Sequence, residues 1–154
     1  MSRRLLNVEL VKAKKLVAIN KKTGTSDPYV VLTLEDIGGR EIKDEKYTSK
    51  HKSNTTNPDW NEPCDFGNKY NLNTNGELPT LVLSVYHKHS LTSFMSDEPM
   101  GKVSIQLEMV DQRGNLTSGW YKLVGDSRTK TQITGELFLK LKFTGDVNDS
   151  NAPD

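Results

Sequence analysis

A period-two alternation of apolar and polar residues, repeated along most of the chain, restricts this sequence to sheet structure. Leu137, Leu139, Leu141 and Phe143 alternate with Phe138, Lys140 and Lys142, and Leu6, Val8 and Leu10 alternate with Asn7, Glu9 and Val11. Side chains of an extended chain point to opposite faces in turn, so each run buries one face and leaves the other in water. Val103, Ile105 and Leu107 repeat the pattern against Ser104, Gln106 and Glu108. Leu81–Tyr86 is apolar at nearly every position, as a central strand would be. Further strands are expected at Tyr29–Leu34, over residues 41–51, at Trp60–Phe66 and at Trp120–Val124. Pro63, which cannot donate to a sheet ladder, suits only an edge or a bulge. Eight such runs with polar connections and no sustained helical period predict an all-β, eight-stranded antiparallel β-sandwich.

With 154 residues the chain has the length of one domain, expected over residues 1–145 and followed by a polar, flexible tail over 146–154. Lys and Arg total 21 against 20 Asp and Glu, so no global field draws the molecule to a charged partner. Partners must be read from local patches, and the mixing of Asp44 and Glu45 with the nearby lysines argues against nucleic acid. No apolar segment has the length of a signal peptide or a membrane span, and Cys64 stands alone, which predicts a cytoplasmic location. Neither a nucleophile-elbow serine nor a phosphate-cradling glycine loop is present, and Cys64 falls in an expected core strand, so the chain does not read as an enzyme.

Around Lys14–Leu34 the chain reads as strand to Ile19, polar loop NKKTGTS, then strand again from Tyr29. Pro28 biases Asp27 towards an extended backbone, turning its carboxylate into the loop mouth. Ser26-Asp27-Pro28-Tyr29-Val30, Asn57-Pro58-Asp59-Trp60-Asn61-Glu62, Leu81–Tyr86 followed by Met100-Gly101, and Ser118–Leu123 occur in that order. Together they resemble the C2 domains, lipid-binding β-sandwich modules first described in protein kinase C. Because the chain starts on the strand before the first loop and closes on GELFLKLKF, it resembles the circularly permuted, type II variant.

The resemblance also implies where a metal would sit. Calcium takes six to eight oxygen ligands, which the family draws from aspartates of the first and third loops. Here the first of those positions is Lys21, two more fall on His87 and His89, and the last falls on Glu98 with Asp97 beside it. Asp27, Asp97 and Glu98 facing a lysine leave the ion short of ligand charge, so no cofactor is required and calcium is held at low affinity if at all. Asp27 has a structural alternative, capping its own turn. His87, His89, Asp27 and Glu98 are also a chemically suitable zinc set, the lesser reading because surface histidines are common.

What replaces calcium on this reading is built-in positive charge. Lys21 and Lys22, with His87, Lys88 and His89 opposite, would draw the loops to anionic lipid, each cation contributing about 1 kcal/mol. Leu91, Phe94 and Met95 either insert into the membrane interface or pack locally. Lys46, Lys50 and Lys52 share one face at even spacing; Lys50 best matches the family's phosphoinositide headgroup groove, where Tyr47 and Thr48 stand in place of further basic residues, and the alternative is a solvated strand face guarded by lysine. The sequence therefore predicts a peripheral phospholipid-binding module with weak or absent calcium dependence; a calcium-dependent lipid binder and a protein-interaction module that binds no lipid are the alternatives.

Overall fold

The structure, a computed structural model, describes residues 3–72, 77–89 and 95–145. Its strands are β1 (Leu5–Lys14), β2 (Pro28–Glu35), β3 (Glu41–Thr48), β4 (Asp59–Phe66), β5 (Thr80–His87), β6 (Glu98–Gln106), β7 (Thr117–Lys122) and β8 (Glu136–Thr144). They form two four-stranded sheets, in the orders β4-β1-β8-β7 and β3-β2-β5-β6. All pairings are antiparallel. The predicted all-β antiparallel sandwich is what forms.

The alternation explains how the sheets meet. Leu6, Val8, Leu10, Leu137, Leu139, Leu141 and Phe143 from one sheet face Val30, Leu32, Leu34, Leu81, Leu83 and Val85 from the other, all buried. Each such side chain removed from water stabilises the fold by about 1.5–3 kcal/mol. β5 lies between β2 and β6, as its continuous apolar run requires, and β4 is an edge strand, as Pro63 requires. Trp60 is buried and its Nε1–H donates to the Lys50 carbonyl at 2.9 Å, tying the corner before β4 to the chain leaving β3.

Three boundaries differ from the sequence reading, each for a local reason. The run from Lys15 to Ile19 is not a strand: Lys15 adopts φ 56 and ends β1. Its N–H turns to Asn57 Oδ1 at 2.9 Å and the Leu16 N–H to the Thr56 carbonyl at 3.0 Å, so the run is held sideways while Leu16 stays in the core. β3 stops at Thr48, three residues short of the predicted end at His51, because Ser49 turns inward. There the Ser49 hydroxyl accepts the Val30 N–H at 2.9 Å. Lys50 and Lys52 consequently lie on a loop. β7 runs over Thr117–Lys122, earlier in the chain than Trp120–Val124, and Leu123 is a buried residue beyond its end.

Candidate functional site

One end of the β3-β2-β5-β6 sheet gathers most of the residues that the sequence singles out. β2 begins there at Pro28, β5 ends at His87, β6 begins at Glu98 and β3 ends at Thr48. Thus the loop before β2, the loop after β3 and the loop between β5 and β6 come together by strand direction alone.

Asp27 sits at the junction. Its backbone N–H donates to His87 Nδ1 at 2.9 Å, its carbonyl accepts the Lys88 N–H at 3.0 Å, and its carboxylate accepts the Asn54 N–H at 2.7 Å. The carboxylate thus caps the 49–58 loop rather than its own turn, binding two loops 27 residues apart. Ser26, fully buried, does the same inside the first loop, accepting the Ile19 N–H and donating to the Val17 carbonyl, both at 2.8 Å.

His87 and His89 do not play equal parts. His87 is buried, 7% exposed, and its Nδ1 accepts a backbone N–H, so the ring is neutral with its proton on Nε2. Burial lowers its pKa from the ordinary 6.5, and the neighbouring His89 adds to this against the pull of Asp27 and Glu98. His87 therefore supports the loop instead of presenting a cation, which removes it from the positive charge expected at this end. His89 is half-buried, its ring edge-on to His87 at 5.2 Å, and its backbone N–H donates to Asp97 Oδ1 at 2.9 Å.

Asp97 is likewise committed to the scaffold. Its Oδ2 accepts the Tyr29 hydroxyl at 2.5 Å while its Oδ1 holds the His89 amide. Burial opposes ionisation, but these two hydrogen bonds, with Lys88 and His89 nearby, outweigh it and hold the carboxyl below its ordinary 3.8. In turn burial, and then the bond to Asp97, raise the Tyr29 pKa well above its ordinary value. Glu98 stands opposite His87 in the β5–β6 register. Among the described residues no group of three or more His, Cys, Asp or Glu is placed to hold a metal ion. Of the four carboxylate oxygens on Asp27 and Asp97, three accept protein N–H or O–H groups.

Lys21 and Lys22 are exposed on a tight turn closed by the Asn20–Thr25 bridge, where Gly24 takes φ 69. Met95 is 64% exposed, whereas Leu91 and Phe94 lie outside the described residues. Below the loops, the solvent face of the sheet is hollow. A cavity of about 470 Å³ is lined by Tyr29, Thr48, Ser49, Lys50, His51 and Lys88. Sharing Tyr29, a second of about 390 Å³ continues down the sheet past Lys46, Tyr86, Lys102 and Arg128 to Glu35 and Glu41. Tyr29 and Tyr86, directly opposite in register, stack at 5.6 Å with 26° between their planes, and Lys88 Nζ lies 5.9 Å from the Tyr29 ring centre. The hollow is polarised: Lys50 and Lys88 sit towards the loops, Lys46 lies further down, level with Thr33, and Glu35 and Glu41 stand opposite each other at the far end.

Sequence reasoning reached Lys46 and Lys50 but missed Tyr29, Tyr86, Lys102 and Arg128. Tyr29 and Tyr86 carry a signal in hindsight, since both fall on the solvent phase of their strands' alternation, where a large aromatic needs a reason. Lys102 and Arg128 carry none, because they reach the hollow through a shared ion partner, Asp126, at 3.6 Å from each. Cys64 is buried and its thiol is pushed up to about 12, chiefly by burial, so it is no nucleophile.

A family model for the C2 domain matches residues 4–123. The chain belongs to the C2 domain family. Synaptotagmin-A of Diplobatis ommata is 31% identical over 141 residues, covering 90% of this chain and 29% of the relative. FT-interacting protein 7 of Oryza sativa subsp. japonica is 30% identical over 138 residues, covering 87% of this chain and 15% of the relative. This C2 domain thus spans less than a third of the length of either. Among solved structures, a C2 domain of plant extended synaptotagmin 1 matches with a TM-score of 0.68 at 20% identity, over 93% of this chain and 95% of that one. Human GIVD cytosolic phospholipase A2 matches with a TM-score of 0.69 at 22% identity, over 92% of this chain and 16% of that one. Both structural likenesses concern the fold. No helix among the described residues is long and apolar enough to cross a membrane.

Proposed function

We propose that this C2 domain docks peripherally on anionic phospholipid from the cytoplasmic side, through the hollow beneath its loops, with weak or absent dependence on calcium. The observation that carries the reading is the stacked Tyr29–Tyr86 pair, with Lys50 and Lys88 at the loop end of the hollow and Lys46 further along it. An anionic headgroup finds there an aromatic floor and a ring of cations, each worth about 1 kcal/mol near a charged bilayer. The far end, closed by Glu35 and Glu41, repels the same charge, so docking is directional. Lys21 and Lys22 on the first loop and Met95 before β6 are exposed and add charge and apolar surface to this reading.

Calcium independence is supported by the engagement of Asp27 and Asp97 in hydrogen bonds that hold the loops together, and by Lys21 at the position the family gives to an acid. The module has a binding role, not a catalytic one. The placement of β8 between β1 and β7 supports the type II variant. Co-sedimentation with phosphatidylserine liposomes, with and without a phosphoinositide, in chelator and in millimolar calcium, tests this reading. Binding that persists in chelator and falls with Lys46→Ala and Lys50→Ala is expected; binding seen only with calcium refutes it.

A further inference from the structure

Away from the hollow, the outer face of the β4-β1-β8-β7 sheet carries a second aromatic and basic patch that lipid docking does not use. Its rows follow from register. Trp120 lies opposite Phe138 and Phe138 opposite Lys12; Lys122 lies opposite Glu136 and Glu136 opposite Lys14; Ser118 lies opposite Lys140 and Lys140 opposite Glu9. The Trp120 and Phe138 rings meet edge to face at 5.1 Å and 61°. Lys14 Nζ stands 4.1 Å and Lys12 Nζ 5.8 Å from the Trp120 ring centre, yet Trp120 remains 36% exposed. Lysine stems therefore frame the indole without covering it.

Charge on this face is graded from basic at β7 and β8 to acidic at β4, with Glu9 on β1 opposite Lys140. Lys12, Lys14, Lys122, Lys140 and Lys142 lie on or beside the β7–β8 half, where Glu136 is engaged by Lys14 at 3.6 Å. Asp59 and Asp65 lie on β4, at the opposite edge. β7 is itself an edge strand, pairing only with β8 among the described residues. Sheet edges are ordinarily blunted by short length, lysine, proline, bulges or inward charge, and β7 is six residues long and ends on Lys122. β7, with the sequence TSGWYK, has no proline, and at its centre a Cβ on Gly119 would meet nothing within 4 Å.

We propose that the β7 edge receives an extended, carboxylate-rich segment of a partner protein, which adds as a further strand and lays alternate acidic side chains on the lysine face beside Trp120. Strand addition supplies main-chain hydrogen bonds, and the period of two delivers every second side chain to the patch. Charge decides among occupants. A planar anionic surface wide enough to reach Lys12 and Lys140 also meets Glu9, Asp59 and Asp65 on the same face, whereas one strand along β7 meets the basic rows. A second copy joined through β7 would crowd both sets of lysines onto one face.

The test begins with selection of a random dodecapeptide library on the full chain. Enriched peptides are expected to carry Asp or Glu at alternate positions and to shift the amide resonances of residues 117–122. Their affinity, read by fluorescence anisotropy, should fall at least about tenfold with Trp120→Ala and with the double variant Lys12→Glu and Lys140→Glu, both remaining folded at the assay temperature by circular dichroism. N-methylation of one alternate set of peptide amides should abolish binding, and of the other set spare it. Enrichment without acidic residues overturns the proposal, as does binding indifferent to both variants. So does a vesicle affinity that falls with the lysine variant while the peptide affinity holds, or a dimer in sedimentation that Trp120→Ala dissolves. Vesicle binding through Lys46 and Lys50 is scored separately, so either reading can fail alone.

Discussion

The two outer faces of this sandwich are built from the same parts and differ in shape. Each has an aromatic pair directly opposite in register, Tyr29 with Tyr86 and Trp120 with Phe138, and each pair has a lysine over one ring. On the β3-β2-β5-β6 sheet the rings stack nearly parallel in a hollow walled by loops. On the β4-β1-β8-β7 sheet they meet edge to face beside an unpaired strand edge. Tyr29 is tied by its hydroxyl to Asp97, and through Asp97 to the His89 amide; Trp120 is held by packing and stacking alone among the interactions described. Both faces carry a cavity of about 470–480 Å³, but a ring of the aromatic pair lines it only on the first, where a loop carboxylate ties Tyr29 in place; on the second the pair stands beside the β7 edge.

The strongest way to break this comparison is charge reversal. Lys46→Glu with Lys50→Glu should lower vesicle affinity at least about a hundredfold in co-sedimentation, at about 1 kcal/mol per charge removed or added. Lys140→Glu on the other face should change it less than about twofold. Next comes the tie at Asp97. Tyr29→Phe, losing a hydrogen bond to a carboxylate, should cost about 1–2 kcal/mol in urea unfolding, against less than about 0.5 kcal/mol for Trp120→Phe.

A smaller effect separates the faces by pH. The His87 pKa is lowered from 6.5 in the folded chain, so the unfolded chain binds more protons as pH falls below that value. Stability should therefore decline as pH drops below about 6.5, and His87→Gln should flatten the decline between about pH 7 and 5.5. Asp97, lowered from 3.8, adds a second loss only as pH falls below that value. The smallest expected effect is that of calcium. Asp27→Asn retains an oxygen for the Asn54 amide, and vesicle binding in millimolar calcium should match binding in chelator within about twofold for both proteins.

Several site residues were legible in the sequence without their hydrogen-bond partners. Asp27 before Pro28 is open to reading as a ligand or as a local cap; it caps a loop far along the chain, because the 49–58 segment is brought to it by β3 ending at Thr48. His87 and His89 look equivalent at spacing two, yet one is buried with Nδ1 fixed as an acceptor and the other offers its backbone amide to Asp97. That difference arises from β2 lying beside β5, which places the Asp27 N–H against one imidazole. The lysines of the third strand were expected at even spacing on one face; Lys46 stays on the strand, and Lys50 reaches the hollow from a loop.

By itself the sequence determined the sheet periodicity, the two-sheet sandwich, the edge position of β4 and the order of the C2 motifs. All of these depend on residues a few positions apart, and their side-chain direction is dictated by backbone geometry. Only the tertiary structure decided which carboxylates are engaged, which histidine is neutral, and that Tyr29, Tyr86, Lys102 and Arg128 share one hollow. Those outcomes depend on strand register and on loops meeting across the sheet, where contacts join residues tens of positions apart and no local pattern records the partner.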